Sequence, residues 1–485
     1  MKQIPGQRDT GRDRRTVGAR HCGRHLPSVG VTTPTVLDAA PDGTDSVPPV
    51  VVARNGGLLQ QLYQDLCSVP FLGLALLLSG CAAAPTPETT SGFQPVSILL
   101  LGDTGYDYEW LEIGDYEDAF TGREFVIEEL DDWIEKHRPI EEFAIPPMHF
   151  AEQTGGYVMA SGMWPVSKAA HTWCKPADKC AFGVMLGDNV YPDGATAGAD
   201  GRDDRERFDD LLWQPYKGLQ EQDPDFVIYP VLGNHDWDTS REGAEAQMAY
   251  LEQSPLYDFG GAFFHRLAAP DVEVFAIDTT LILNAEPVHD DALAPDGTPI
   301  ETGEFDKDEP WAEPVGDEVN MLARLEEALA ASPARWKIVI AHHPIWSSSG
   351  SKHEEAKVLR RLLMPMLCRY ADAFVTGHDH TLELHSDDCS SAGDHYADLP
   401  PLVQVVSGAA GKQRPVHTPF MAWQDREFPQ KTSHYVRGLI WGFAEMQLDA
   451  DTATVTIVST PNSGSGEPVI EYTHTFERRS GLIPQ

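Results

Sequence analysis

Positive charge is what this chain has least of. Lysine and arginine number 36 against 75 aspartates and glutamates in 485 residues, a formal net charge of -39. Residues 1–80 hold eight basic side chains and six aspartates, so everything after residue 80 carries about -41. A surface of that sign repels nucleic-acid phosphates and an anionic bilayer face, which excludes recognition of either by bulk electrostatics. It suits solubility in a salty medium, where screening shortens the reach of charge. Long apolar runs are also missing. Phe71 to Leu78 falls far short of the roughly 20 residues a membrane-spanning helix needs. The seven cysteines contain no Cys-x-x-Cys pair, so no zinc-binding spacing is present. No internal repeat is visible, which removes solenoid architectures.

That apolar run has another use. It ends in Leu78-Ser79-Gly80-Cys81, similar to a signal-peptide core followed by the lipobox of bacterial lipoproteins, where the cysteine is lipidated and becomes the mature N-terminus. Residues 1–66 then read as a disordered or mis-assigned leader, since residues 1–50 are rich in Arg, Gly, Pro and Thr without periodicity. Residues 67–80 read as the signal core and 81–94 as a Pro/Thr/Ser tether. The expectation is an exported protein, lipid-anchored at Cys81 on the periplasmic or extracellular face of a bacterial membrane, touching that membrane only through the anchor. Of the remaining cysteines, Cys174 and Cys180 are near neighbours, as are Cys368 and Cys389. Four thiols in an exported chain favour two disulfides, paired by proximity.

From residue 95 to about 478 the chain reads as one catalytic domain. Apolar runs at 96–101, 182–186, 226–232, 272–277, 337–341, 373–376 and 402–406 have the composition of strands covered on both faces. Helical patterns lie at 125–136, 205–212, 318–331 and 354–370, and three antiparallel strands close the chain at 438–448, 452–459 and 469–476. Residues 106–172 read mostly as an insertion, and 284–316 as a Pro- and Asp-rich surface loop. The alternation predicts an α/β sandwich of two mixed sheets flanked by helices.

Five of these strands end in a small residue followed by Asp, Asn or His: Asp103, Asp188 with Tyr191, Asn234 with His235, His342, and His378 with His380. Groups beyond the carboxyl ends of strands in an α/β sheet converge on one site. Asp188 has two oxygens and can bridge two cations, and a deprotonated Tyr191 is a hard anionic ligand suited to Fe(III).

In order and spacing these blocks resemble the calcineurin-like metallophosphoesterases, which run Gly-Asp, Gly-Asp, Gly-Asn-His, His and Gly-His-x-His. The purple acid phosphatase branch, of the tartrate-resistant type, fits better still. The superfamily's first block is usually Asp-x-His, but Gly105 stands at the histidine here, and Tyr191 supplies the branch's replacement ligand. The resemblance implies a first metal, Fe(III), on Asp103, Asp188, Tyr191 and His380. It implies a second, Fe(II), Zn or Mn, on Asp188, Asn234, His342 and His378. Hydroxide from a shared water would attack a phosphate monoester in line. His235 would stabilise charge or protonate the leaving oxygen. His353 is the candidate second acid, although Lys352 stands where the branch has Glu; His343, where the family often has Tyr, would stand behind the ligands. Substrates would be phosphorylated small molecules or phosphoproteins. A phosphodiesterase or nucleotidase of the same superfamily is the alternative, and a non-catalytic protein sequestering metal or phosphate the third reading.

Mass spectrometry of the native N-terminus is expected to find a peptide that begins at acylated Cys81. Residues 20–60 intact on the exported protein would refute the anchor.

Overall fold

Strands buried on both faces need apolar side chains at every position, and the wholly apolar runs form such strands. A computed structural model describes residues 92–111 and 121–479, apart from 153, 177–178, 200, 202–203, 306–309, 351, 394–395 and 397–398. The leader, the signal-like run, Cys81 and the tether up to residue 91 lie outside the described residues. In chain order the strands are β1 (Val96–Leu101), β2 (Met148–Ala151), β3 (Gly156–Met159), β4 (Phe182–Leu186), β5 (Ile228–Val231) and β6 (Phe263–Ala269). There follow β7 (Val272–Ile277), β8 (His289–Leu293), β9 (Pro299–Phe305), β10 (Trp336–Ile340), β11 (Ala373–Thr376) and β12 (Leu382–Asp387). The last are β13 (Leu402–Ser407), β14 (Lys431–Arg437), β15 (Trp441–Leu448), β16 (Thr452–Thr460) and β17 (Val469–Glu477).

Two large mixed sheets result. One runs β17-β16-β15-β1-β4-β5 and the other β14-β12-β13-β11-β10-β7-β6. In the first, β1, β4 and β5 are parallel while β15 pairs with β1 antiparallel. In the second, β7, β10, β11 and β13 are parallel. The parallel strands of both sheets share one buried core, in which Leu100, Val184, Ile340 and Val375 are fully enclosed. Where the sheets meet, the Ser407 hydroxyl donates to the Leu100 carbonyl at 2.8 Å and accepts from the Ala444 amide at 3.0 Å. Gly102 sits at that junction. A Cβ there would lie 2.6 Å from the Ser407 carbonyl oxygen and 3.2 Å from Gly377 Cα. Any side chain would push the ends of β1 and β11 apart.

The helical pattern at 125–136 is helix α1 (Gly122–Glu135), capped by the Thr121 hydroxyl. Other segments depart from the sequence expectation: the β2–β3 hairpin stands inside the expected insertion. Helix α2 (Met163–Cys174) is not peripheral: it buries Met163, Val166, Ala169 and Ala170 in the shared core. The 284–316 stretch is not all loop, because β8 and β9 form a hairpin around Asp296-Gly297. Asp-Gly favours a tight turn with positive φ, and Gly297 has φ 82°.

Disulfides join Cys174 to Cys180 and Cys368 to Cys389, as proximity in the chain suggests. The second closes a loop of separation 21 that contains His378 and His380. In the chain-entropy account, such a loop contributes about 3 kcal/mol. Non-reducing peptide mapping is expected to recover both pairs, and Cys368→Ser/Cys389→Ser to lower unfolding free energy by about that amount. An unchanged denaturation midpoint would show that the sheets alone hold the histidine loop.

Candidate metal centre

The five strand ends meet at the carboxyl edges of both sheets. Asp103, Asp188 and Asn234 arrive from β1, β4 and β5, and His342 and His378 from β10 and β11. Three of these residues are held in the left-handed region: Asp103 (φ 55°), Asp188 (φ 52°) and His378 (φ 68°). Asp and His tolerate that region better than most side chains, yet strain of this kind persists only where surrounding structure enforces it.

The donor atoms fall into two adjoining sets. In the first, the Tyr191 hydroxyl lies 2.7 Å from Asp188 Oδ2, 3.2 Å from Asp103 Oδ1 and 3.0 Å from His380 Nε2. His380 Nε2 and Asp103 Oδ1 are 3.4 Å apart. In the second, His342 Nε2 lies 3.2 Å from Asp188 Oδ1 and 3.2 Å from Asn234 Oδ1. His378 Nδ1 completes that set, 3.1 Å from Asn234 Oδ1 and 3.0 Å from His342 Nε2. Two ligands each about 2.1 Å from one ion and at right angles stand about 3 Å apart. Both sets therefore have the spacing of ligands around a common cation. Asp188 gives one oxygen to each.

Electrostatics point the same way. Burial pushes the Asp103 carboxyl well above its ordinary pKa, and the Asp188 charge adds to this. Burial acts on Asp188 too, but His342 and His235 hold it well below the carboxylate range. His342 itself, despite burial, is raised to about 9 by Asp188. Two cations in place of that proton would satisfy all three, and binding them would release it.

A second layer of residues, missed in the sequence, aims the first. His342 Nδ1 lies 2.7 Å from the Leu186 carbonyl. A carbonyl only accepts, so Nδ1 carries the proton and Nε2 the lone pair. His378 Nε2 lies 3.1 Å from Glu355 Oε2, which turns Nδ1 to the second set. Asp236 accepts from the amides of Asn189, Val190 and Gly233 at 2.9, 3.0 and 2.8 Å and from Gln247 at 3.0 Å. It ties the second block to the third. Asp379 accepts from Ser349 at 2.7 Å and Arg414 at 2.9 Å, fixing the loop between the two histidines.

The remaining named histidines separate. His235 stands at the centre, its ring centroid 4.3 Å from that of Tyr191 and Nδ1 2.5 Å from the Pro192 carbonyl. His343 packs on His378 at 4.2 Å and pairs with the Thr279 hydroxyl at 2.8 Å, a supporting position. His353 is not brought to the cluster. It is buried against Trp423 and Phe420, with centroids 5.1 and 6.0 Å away. Burial, with Arg360 and Lys357 nearby, pulls its pKa down to about 3, so it is neutral at mildly acid pH.

Donor sets of this kind, on the facing ends of two mixed sheets, could hold two metal ions. The calcineurin-like phosphoesterase family matches residues 96–382, and the chain belongs to that family. It is 30% identical over 237 residues to purple acid phosphatase 17 of Arabidopsis thaliana, covering 48% of this chain and 59% of that protein. To purple acid phosphatase 3 of the same plant it is 32% identical over 206 residues, 42% and 49% of the two chains. The chain spans about half the length of the curated relatives it matches. Among solved structures, it is similar to GAP50, the anchor in the inner membrane complex of Plasmodium (TM-score 0.47, 16% identity, 80% of this chain and 90% of that one). It is also similar to purple acid phosphatase PPD1 from yellow lupin seeds (TM-score 0.43, 13% identity, 80% and 54%). The superfamily and branch resemblance read from the motifs agrees with the family match and the curated plant relatives.

Glu355→Gln is expected to weaken binding of the second metal by about 10–100-fold, the usual effect of losing a carboxylate behind a ligating histidine. Metal titration by calorimetry reads this directly. An unchanged second dissociation constant would show that Glu355 does not orient His378.

Proposed function

We propose that this protein is a dinuclear-metal acid phosphatase hydrolysing phosphate monoesters. The observation that carries the proposal is the division of Asp188, one oxygen to a set containing Tyr191 and the other to a set of two imidazoles and an amide oxygen. Asp103, Asp188, Tyr191 and His380 would hold Fe(III). Asp188, Asn234, His342 and His378 would hold Fe(II), Zn or Mn. A phenol has an ordinary pKa near 10, so only a strongly charged ion keeps it ionised at acid pH. When bound, the pair supplies the positive charge that activates water and steadies a phosphoryl group.

The chain's own groups do the rest. His235 carries its Nδ1 proton toward the Pro192 carbonyl, which leaves Nε2 to exchange a proton with the ester. The backbone amide of His235 donates to Asp188 Oδ1 at 3.0 Å, which ties the main chain that carries the ring to the bridging carboxylate. Phosphorylated small molecules or phosphoproteins are the substrates of this reading, and export with a lipid anchor at Cys81 is its setting.

The purified protein is expected to contain iron and to absorb in the visible from phenolate-to-iron charge transfer. Tyr191→Phe should abolish the band, and Asp188→Ala should cost both metals. His235→Ala should keep the colour but slow hydrolysis by about 10²–10⁴-fold. A monoester reporter should be turned over in preference to a bis-ester. A colourless, active protein indifferent to Tyr191→Phe would refute iron at the first set, and preference for the bis-ester would refute the monoesterase.

A further inference from the structure

A cavity lies beyond one wall of the centre. Tyr106 packs edge-on against Tyr191, centroids 6.1 Å apart, and its hydroxyl donates to the Met159 carbonyl at 2.8 Å. The Lys412 ammonium lies 5.0 Å from the Tyr191 ring centre and 5.4 Å from that of Tyr106. On their outer side is a cavity of about 290 Å³, lined by both residues, by β3 (Val158 and Met159) and by α1. Its size is at the small end for small-molecule sites, which begin near 300 Å³. It has room for a short alcohol and none for a folded partner.

The α1 face turned to this cavity is acidic. Phe125, Glu128, Glu129 and Asp132 stand at i, i+3, i+4 and i+7 along one side of the helix, whose buried side chains are Phe125 and Trp133. Asp132 is exposed and paired with Lys136 at 2.7 Å and Arg138 at 3.3 Å, and Glu128 and Glu129 face the cavity beside it. The cavity therefore has a cation beside the metal ligands and acids on its far wall.

We propose that this cavity receives the alcohol part of the substrate and selects phosphate monoesters of short amino alcohols, such as phosphoethanolamine and phosphocholine. This rests on the monoesterase reading above and names its substrate class. Lys412 takes a phosphoryl oxygen, Tyr106 and Met159 flank the methylenes, and Glu128 and Glu129 take the ammonium. In the reaction, a water oxygen bonds to phosphorus, the bond from phosphorus to the alcohol oxygen breaks, and that oxygen takes a proton. Amino alcohol and inorganic phosphate are released. Burial, reinforced by Asp132, pushes Glu129 up to about 7. An ammonium beside it would draw that value back down.

The test uses the metal-loaded protein with phosphocholine, phosphoethanolamine and glycerol phosphate, compared by kcat/KM and by calorimetric binding in the presence of vanadate-free buffer. The amino-alcohol esters are expected to be preferred over glycerol phosphate by about tenfold or more, the discrimination that a few contacts supply. Glu128→Gln/Glu129→Gln should bring the ratio to about one. Glu129→Lys should reverse it toward an anionic ester such as 3-phosphoglycerate, a gain that misfolding cannot produce. Equal kcat/KM for all esters, or a ratio untouched by both variants, overturns the pocket assignment and leaves the monoesterase standing. If no ester is hydrolysed, the monoesterase reading falls. The binding ratio and its response to Glu128→Gln/Glu129→Gln then decide the pocket by themselves.

Discussion

Asp188 is where the two halves of the centre are joined, and the chain around it is arranged to keep its two oxygens apart in purpose. Its backbone is left-handed, as are those of Asp103 and His378, and strained φ of this kind costs about 1–3 kcal/mol per residue. What holds it there is mutual. Gly105 donates its amide to the Asp188 carbonyl at 3.1 Å, the His235 amide reaches Oδ1, and Asp236 clamps the next two amides. The buried acids compound the demand. A core that encloses two carboxylates and a phenol within hydrogen-bond distance of one another needs positive charge among them, because burial alone drives such groups to neutrality.

The exchange of a histidine for Tyr191 follows from the same loop. Gly105 is pressed so closely on the second block that a Cβ would meet the Asn189 carbonyl oxygen at 2.0 Å. Its own carbonyl accepts from the Tyr191 amide at 3.3 Å. No side chain fits at 105, whatever its chemistry. The donor that the first block cannot provide arrives from the turn paired with that backbone, three residues past Asp188. Loss and gain are one piece of geometry, and a histidine restored at 105 would have to break the pairing that positions Asp188.

How far the sequence could be read depended on whether a residue's role is local. The core strands were legible because burial on both faces leaves an unbroken apolar run, and the ligands because each follows such a run. Strand β12 was not, since Leu382–Asp387 interleaves apolar residues with Glu383 and His385, which are buried and satisfied by each other at 2.6 Å. Helix α2 hid among loop signals, although its apolar face belongs to the core. Helical phase sets His353 apart from the donor cluster. His353 opens the helix His353–Tyr370 facing Trp423 and Phe420, and two residues on, about 200° around, Glu355 faces His378. Only the helix start, known within a residue, separates the two assignments. Lys412 carried no motif at all, because its neighbours Tyr106 and Tyr191 are hundreds of residues away in the chain.

The overall charge and the proposed substrate look opposed, since an acidic protein repels phosphate. The scales resolve it. Salt confines the surface field to about 8–10 Å, whereas the centre sets its own local balance. Lys412 stands over Tyr191, Arg414 is anchored on Asp379 beside the histidine loop, and Lys352 pairs with Glu355 at 3.0 Å. Cations on the two donor sets would add to these. On the proposed reading, a small ester would cross the repulsive shell and meet this positive charge in the recess, while a long polyanion would meet the acidic surface along its whole length. The acidity of the chain would then act as a filter on substrate size, before any contact is made.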